Sequence, residues 1–209
     1  MPINYSQLKI INKVLRKHPY AKLQIVTKNR DIITIKELIE KGYTLFGENK
    51  VQEAKEKYES LNISNLDLHL IGPLQTNKVK VALKLFNTIQ TVDREKLVNE
   101  IVKNQNNFKV KTANFFIQVN IGMEPQKSGI LPESLPKLYE FSLNKKLNIV
   151  GLMCIPPFDK DVRIYFEKMR YLRDNLDKSL KLSMGMSNDY EISLNCGSNL
   201  IRVGSRIFN

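Results

Sequence analysis

The chain alternates short apolar runs with amphipathic stretches along its whole length. Residues 5–18 place Leu8, Ile11, Val14 and Leu15 at the spacing of one helical face. A strand is predicted over 23–28, a helix over 31–41, a strand over 43–46 and a helix over 50–61. Residues 66–71 alternate and form a third strand. Helix 75–86 carries Val79, Ala82, Leu83 and Phe86 on one side and leads to a fourth strand, 88–92. Helix 94–104 precedes a strongly apolar strand at 113–121, and helix 132–145 precedes a sixth at 148–155, stopped by Pro156 and Pro157. The longest helix, 163–180, is followed by strand 182–186, a short helix 188–195 and an eighth strand, 200–204.

Eight strands alternating with helices make an α/β chain with the element count of a single (β/α)8 TIM-type barrel, here with an extra N-terminal helix. A doubly wound sheet is disfavoured because its first turn is usually glycine-rich, whereas Asn29 and Arg30 follow Lys28. With no linker or low-complexity tract, residues 1–209 read as one domain.

A barrel of this kind carries its chemistry at the C-terminal ends of its strands. That rim receives Thr27 and Lys28, then Gly47, Glu48 and Asn49, then Gly72 and Pro73 with Gln75 and Asn77 beyond. Asp93 and Asn120 follow, then Gly185, Met186 and Ser187, and finally Arg202, Gly204 and Ser205. Lys28 ends an apolar strand, where desolvation would lower its pKa and make the amine a nucleophile toward an aldehyde. Ser187 sits where it can cap a short helix, and the backbone of Gly204 and Ser205 can cradle a phosphate. Each has a plainer reading: a solvated strand end for Lys28, a simple cap for Ser187, a tight turn for Gly204 and a surface ion pair for Arg202. Their convergence on one rim points to a ligand with an aldehyde and a phosphate, as in pyridoxal 5′-phosphate.

Composition narrows the setting. A chain of 209 residues buries enough surface to fold without disulfides or metal, and two cysteines form no disulfide framework. No apolar run reaches the length of a membrane span, and the N-terminus lacks a secretion signal, so a cytoplasmic protein is expected. The net charge of +12 suggests nucleic acid. However, only eight of the 33 basic residues are Arg, and the lysines are scattered without a run. No nucleic acid, membrane or metal partner is expected.

Taken in order, several motifs resemble the pyridoxal phosphate homeostasis protein family. They are Val26-Thr27-Lys28, Phe46-Gly47-Glu48-Asn49 with Val51-Gln52-Glu53, and His69 to Lys78. Further on come Val119-Asn120 with Lys127-Ser128-Gly129, Gly151 to Pro156, Ser183 to Asp189 and Arg202 to Ser205. The resemblance implies a barrel similar to the N-terminal domain of bacterial alanine racemase, with Lys28 as the lysine of the internal aldimine. It further implies Ser187, Gly204 and Ser205 around the phosphate, Arg202 near the pyridine nitrogen, and Asn49 and Met186 lining the ring pocket. Arg202 there would keep the ring nitrogen unprotonated and weaken the ring as an electron sink. No catalytic residue is implied. The function expected is a monomeric carrier or buffer of the cofactor, which could pass it to apo-enzymes. The alternative is a weak racemase-like enzyme, for which no second base is found. His69 is expected to be a satisfied core histidine, while Gln75, Asn77 and Lys78 either cap a helix or meet a second ligand. Two departures from the family, a minimal C-terminal end and a short N-terminal helix, are expected to loosen barrel closure.

Overall fold

The computed structural model describes residues 2–59, 61, 65–107, 110–157 and 161–208. Eight parallel strands close into a barrel in chain order. They are β1 (Lys22–Val26), β2 (Leu45–Glu48), β3 (Asp67–Leu70), β4 (Thr88–Val92), β5 (Asn114–Val119), β6 (Ile149–Cys154), β7 (Lys181–Ser183) and β8 (Leu200–Val203). Around them run α1 (Tyr5–Leu15), α2 (Ile32–Glu40), α3 (Val51–Tyr58), α4 (Val79–Leu85), α5 (Glu95–Asn107), α6 (Leu135–Asn144), α7 (Val162–Leu176) and α8 (Tyr190–Asn195). Among the described residues no helix is long and apolar enough to cross a membrane, and no cluster of His, Cys, Asp and Glu is placed to hold a metal.

The barrel is closed firmly, contrary to the expectation of a loose seam. β1 pairs with β8 over four residues, Lys22 to Ile25, and with β2 over two. Residues 205–207 form a turn after β8, and the segment just before α1 bonds to it. Leu8 and Ile11 bury the inner face of α1, and the Asn4 N–H donates to the Ile207 carbonyl at 2.7 Å. Tyr5 donates to Glu37 of α2 at 2.6 Å, and Tyr20, just beyond α1, donates to the Leu194 carbonyl of α8 at 2.9 Å. The N-terminal helix thus bridges the two helices that flank the seam.

The predicted elements are all present, with ends set by local chemistry. β2 starts at Leu45, not at 43, because Gly42 (φ 87°) closes α2 with a turn. α7 stops at Leu176, four residues early, because the Asp177 carboxylate accepts from the Ser179 N–H and hydroxyl. β7 ends at Ser183 ahead of Gly185 (φ 91°). α3 ends at Tyr58, and position 60 of the predicted helix lies outside the described residues.

The main apolar core lies between sheet and helices, where Ile25, Phe46, Leu68, Ile89, Phe115 and Leu182 belong to one buried cluster with Ile35, Leu83 and Phe166. The barrel interior is different. Branched aliphatic side chains usually fill it, but here Gln24, His69, Gln90, Ser183 and Arg202 are buried inside on five strands. Phe116, Met153 and Leu200 form a small apolar cluster separate from the main core. Gly47 in β2 makes room for this arrangement, since a Cβ there would lie 3.0 Å from Gln24 Nε2.

Candidate functional site

A cavity of about 400 Å³ opens at the C-terminal rim. All seven residues singled out in the sequence line it: Lys28, Asn49, Met186, Ser187, Arg202, Gly204 and Ser205. Val26, Ile71, Pro73 and Ile155 supply apolar walls, and Asn188 and Asp189 complete the polar side. Gln75, Asn77 and Lys78 are exposed on the 3-10 turn ahead of α4, with no side-chain cap there, and do not line this cavity.

Lys28 lies in the turn after β1 and is exposed at the cavity. The desolvation expected from its apolar strand is therefore absent: two residues beyond the last pleat of β1, the side chain has left the dry wall. Among the described residues it has no ion-pair or hydrogen-bond partner. Its position is set by its neighbours. Thr27, fully buried, donates through Oγ1 to Glu48 Oε1 at 2.7 Å and accepts from the Tyr58 hydroxyl at 2.7 Å. Lys57 donates to the Thr27 carbonyl and to Glu48 Oε1, both at 2.8 Å, and pairs with Glu53 at 2.7 Å. Glu53 in turn accepts the N–H of Asn29, which turns the chain with φ 58°. Both residues flanking Lys28 are thus tied to α3 and the end of β2.

The charges in this cluster are finely opposed. Burial pushes Glu48 above the ordinary carboxylate value, against the hydrogen bonds and charge of Lys57 and the Thr27 hydroxyl. Burial also pushes Glu53 up, but the Lys57 hydrogen bond and the Asn29 N–H outweigh it and leave it below the ordinary value. Burial raises the Tyr58 phenol, and the Glu48 charge raises it further. Tyr58 is buried in the core, with its hydroxyl committed to Thr27.

Arg202 is held in the opposite way. It is 4% exposed, with Nη1 donating to Ser183 Oγ at 2.7 Å and Nη2 to the Cys154 carbonyl at 2.8 Å. The surface ion pair considered for it does not exist, because β8 points this side chain into the barrel. Burial lowers its pKa, while Asp189 and Cys154 act the other way, and a guanidinium remains charged. The same burial pushes the Cys154 thiol up to about 12.

Ser187 is not the cap of α8. That place falls to Asp189, and the Asp189 carboxylate accepts from the Met186 N–H, pinning the 186–189 turn. Ser187, 8% exposed, faces the cavity instead. Gly204 is favoured by close approach: a Cβ there would lie 3.0 Å from the Val26 carbonyl oxygen across the seam. The set of groups is therefore one exposed primary amine, one buried guanidinium, two serine hydroxyls beside a glycine backbone, and apolar walls. A planar heteroaromatic aldehyde with a phosphate matches each of these, and the cavity volume lies in the range of roughly 300–1,000 Å³ of small-molecule sites.

A parallel barrel with this rim is the architecture of the alanine racemase N-terminal domain, and that family matches residues 5–209. Alanine racemase structures share the fold alone. That of Clostridium difficile superimposes with a TM-score of 0.76 at 17% identity, and the match covers 99% of this chain and 57% of that one. The relationship to a second group is much closer. The pyridoxal phosphate homeostasis protein of Aquifex aeolicus is 40% identical over 199 residues, covering 90% of this chain and 86% of its own. That of Escherichia coli is 33% identical over 197 residues, covering 89% and 84%. PipY of Synechococcus elongatus superimposes with a TM-score of 0.86 at 31% identity without PLP, covering 95% of this chain and 98% of its own. Its PLP-bound structure superimposes with a TM-score of 0.81 at 30% identity, with the same coverage. The chain belongs to the pyridoxal phosphate homeostasis protein family.

Proposed function

We propose that the chain binds pyridoxal 5′-phosphate in the rim cavity, covalently and reversibly through Lys28. On this reading it serves intracellular vitamin B6 homeostasis as a carrier or buffer, not as an enzyme with robust turnover. The observation that carries the reading is the convergence of Lys28, Asn49, Met186, Ser187, Arg202, Gly204 and Ser205, from four separate strand ends, on one cavity. The name of the relatives and the PLP-bound PipY structure support the choice of ligand.

When bound, the cofactor supplies an aldehyde carbon open to reversible attack by an amine, together with a ring able to withdraw electrons. Lys28 provides the amine, and its exposure leaves it accessible to exchange. Thr27 and Asn29, fixed through Glu48, Lys57 and Glu53, aim it. Ser187, Gly204 and Ser205 would hold the phosphate, Asn49 and Met186 would line the ring pocket, and Arg202 would lie near the ring nitrogen, where its charge would disfavour a proton. Among the described residues the cavity contains no phenol, imidazole or thiol, and its only carboxylate, Asp189, already accepts from the Met186 N–H. Lys28 is thus the one uncommitted base among the described lining residues, whereas racemisation takes two, which supports the carrier reading.

The reading treats residues 1–209 as one domain acting as a cytoplasmic monomer, with apo-enzymes as recipients and neither nucleic acid nor membrane as partner. Borohydride reduction of the cofactor-loaded protein, followed by peptide mapping, is expected to place the label on Lys28. Label elsewhere, or none, would overturn the site. A turnover assay with single-enantiomer amino acids is expected to show no Lys28-dependent rate above that of the cofactor in solution, and a clear rate would restore the racemase-like alternative.

A further inference from the structure

The polar groups inside the barrel form one connected chain, and the chemistry of its ends gives it a direction. Arg202 Nη1 donates to Ser183 Oγ at 2.7 Å, since a guanidinium has no acceptor. The single Ser183 hydrogen is then directed to Gln90 Oε1 at 2.6 Å. This turns the Gln90 amide nitrogen toward Gln24 Oε1 at 3.0 Å and His69 Nδ1 at 2.7 Å. A second anchor requires the same orientation: Gln24 Nε2 meets the Phe46 carbonyl at 3.1 Å, and a carbonyl only accepts, so Gln24 must offer its oxygen to Gln90. His69 Nδ1 is left to accept, and Nε2 carries the proton donated to Asp67 Oδ1 at 3.0 Å. An ionised carboxylate also only accepts, so three independent ends agree.

We infer that Ser183 and Gln90 are positioning residues for Arg202, in a one-way hydrogen-bond relay that runs from the cofactor cavity to His69 and Asp67 at the opposite mouth of the barrel. The consequence for the cofactor rests on the function proposed above, while the direction of the relay does not. Arg202 has no carboxylate partner among the described residues, so its place at the ring nitrogen depends on the acceptors it finds inside the barrel. The Cys154 carbonyl is one, and Ser183 is the other, free to accept because Gln90 takes its hydrogen. The far end opens on a cavity of about 130 Å³ at the N-terminal face. Around His69 there stand Asp67 on its own strand, Lys22 of β1 and Lys181 of β7, and Lys111 acts on Asp67 from the segment before β5. The relay therefore crosses the barrel from one open end to the other.

Direction is tested without cofactor by nitrogen-15 NMR of the imidazole rings in the full chain. The chain has two histidines, so His18→Gln leaves His69 alone. The expected result near neutral pH is a protonated Nε2 and a bare Nδ1. A proton on Nδ1, in either the other tautomer or the imidazolium, would overturn the relay. Gln90→Glu puts an acceptor where the amide donated and is expected to draw a proton onto Nδ1; an unchanged His69 spectrum would contradict the assigned link. Positioning is tested by cofactor affinity and by the visible spectrum of the bound cofactor. Ser183→Ala is expected to weaken binding about threefold to tenfold and to shift the band, with Ser183→Thr restoring both. Unchanged affinity and spectrum in Ser183→Ala, with wild-type protein loading normally, would overturn the positioning role. If wild-type protein itself takes up no cofactor, the proposed function fails, and the NMR result alone judges the relay.

Discussion

β1 and β8 lie side by side at the barrel seam, and each delivers a cation to the same cavity by opposite means. Lys28 is exposed and unpartnered among the described residues, held only through Thr27 and Asn29. Arg202 is buried and gripped by its own guanidinium, through Ser183 and the Cys154 carbonyl. The difference fits the two tasks proposed for these residues. A group that must form and release a covalent bond has to stay reachable, so its rigidity comes from the backbone on either side. A group that only sets the electrostatics of a ring can be buried for good. The two grips do not overlap, so they can be broken separately.

The largest expected effect comes from the Lys28 grip. Glu48→Ala removes the acceptor of both Thr27 and Lys57 inside a buried cluster. It is expected to cost about 3 kcal/mol in chemical denaturation and to lower the melting temperature by roughly 6–12 °C. Glu48→Gln keeps an acceptor and should cost clearly less.

Arg202→Leu is expected to act in the other order. No carboxylate is stranded, so stability should fall by only about 1–2 kcal/mol, from the donors lost to the Cys154 carbonyl and to Ser183 Oγ, which still donates to Gln90. Cofactor affinity, measured by spectroscopic titration, should drop at least about tenfold. An Arg202→Leu protein that melts early yet binds normally would mean that Arg202 belongs to the core alone. Gly204→Ala is milder, because the new methyl lies 3.0 Å from the Val26 carbonyl and the seam must give by a few tenths of an ångström. A loss of affinity of about threefold is expected, with little change in melting.

The smallest effect belongs to the far end of the barrel. Burial pushes Asp67 up, but the hydrogen bond from the His69 N–H, with the charges of Lys22 and Lys111, outweighs it and holds the carboxyl below its ordinary value. Such a group contributes stability above the unfolded-chain value, about 3.9, and loses it as the pH falls through the lowered folded value. The stability gap between wild type and Asp67→Asn should therefore close as the pH falls from about 5 to about 3. It should never exceed roughly 0.5 kcal/mol, since the Asp67 side chain is half exposed.

Much of this was legible in the sequence, and the reasons are local. The eight strands alternate or run apolar, and the helices between them carry a clean apolar stripe, so periodicity alone located them. The cavity residues were legible because a barrel confines chemistry to one rim, and Lys28, Ser187 and Arg202 each stand at a strand end. Three things were not legible. Ser187 looked like a cap, but the Asp189 carboxylate, two residues on, took the Met186 N–H and moved the cap position. Lys28 looked desolvated, because a strand boundary read two residues too long hides the turn that exposes it. The relay was invisible because Gln24, His69, Gln90 and Ser183 are far apart in sequence, and only closure of the barrel makes them neighbours. The grip of Glu48, Lys57 and Tyr58 on Thr27 is hidden for the same reason, although Glu48 itself stands in a strand-end motif.

The visible absorbance of purified protein mixed with pyridoxal 5′-phosphate tests the central claim most directly. Wild-type protein should develop the band of a lysine-bound cofactor. Lys28→Ala should lack it while melting within about 0.5 kcal/mol of wild type, because the side chain is exposed and carries no part of the fold. A band of undiminished intensity in Lys28→Ala would contradict the account, for it would place the attachment on another lysine and leave the rim cavity without its defining group.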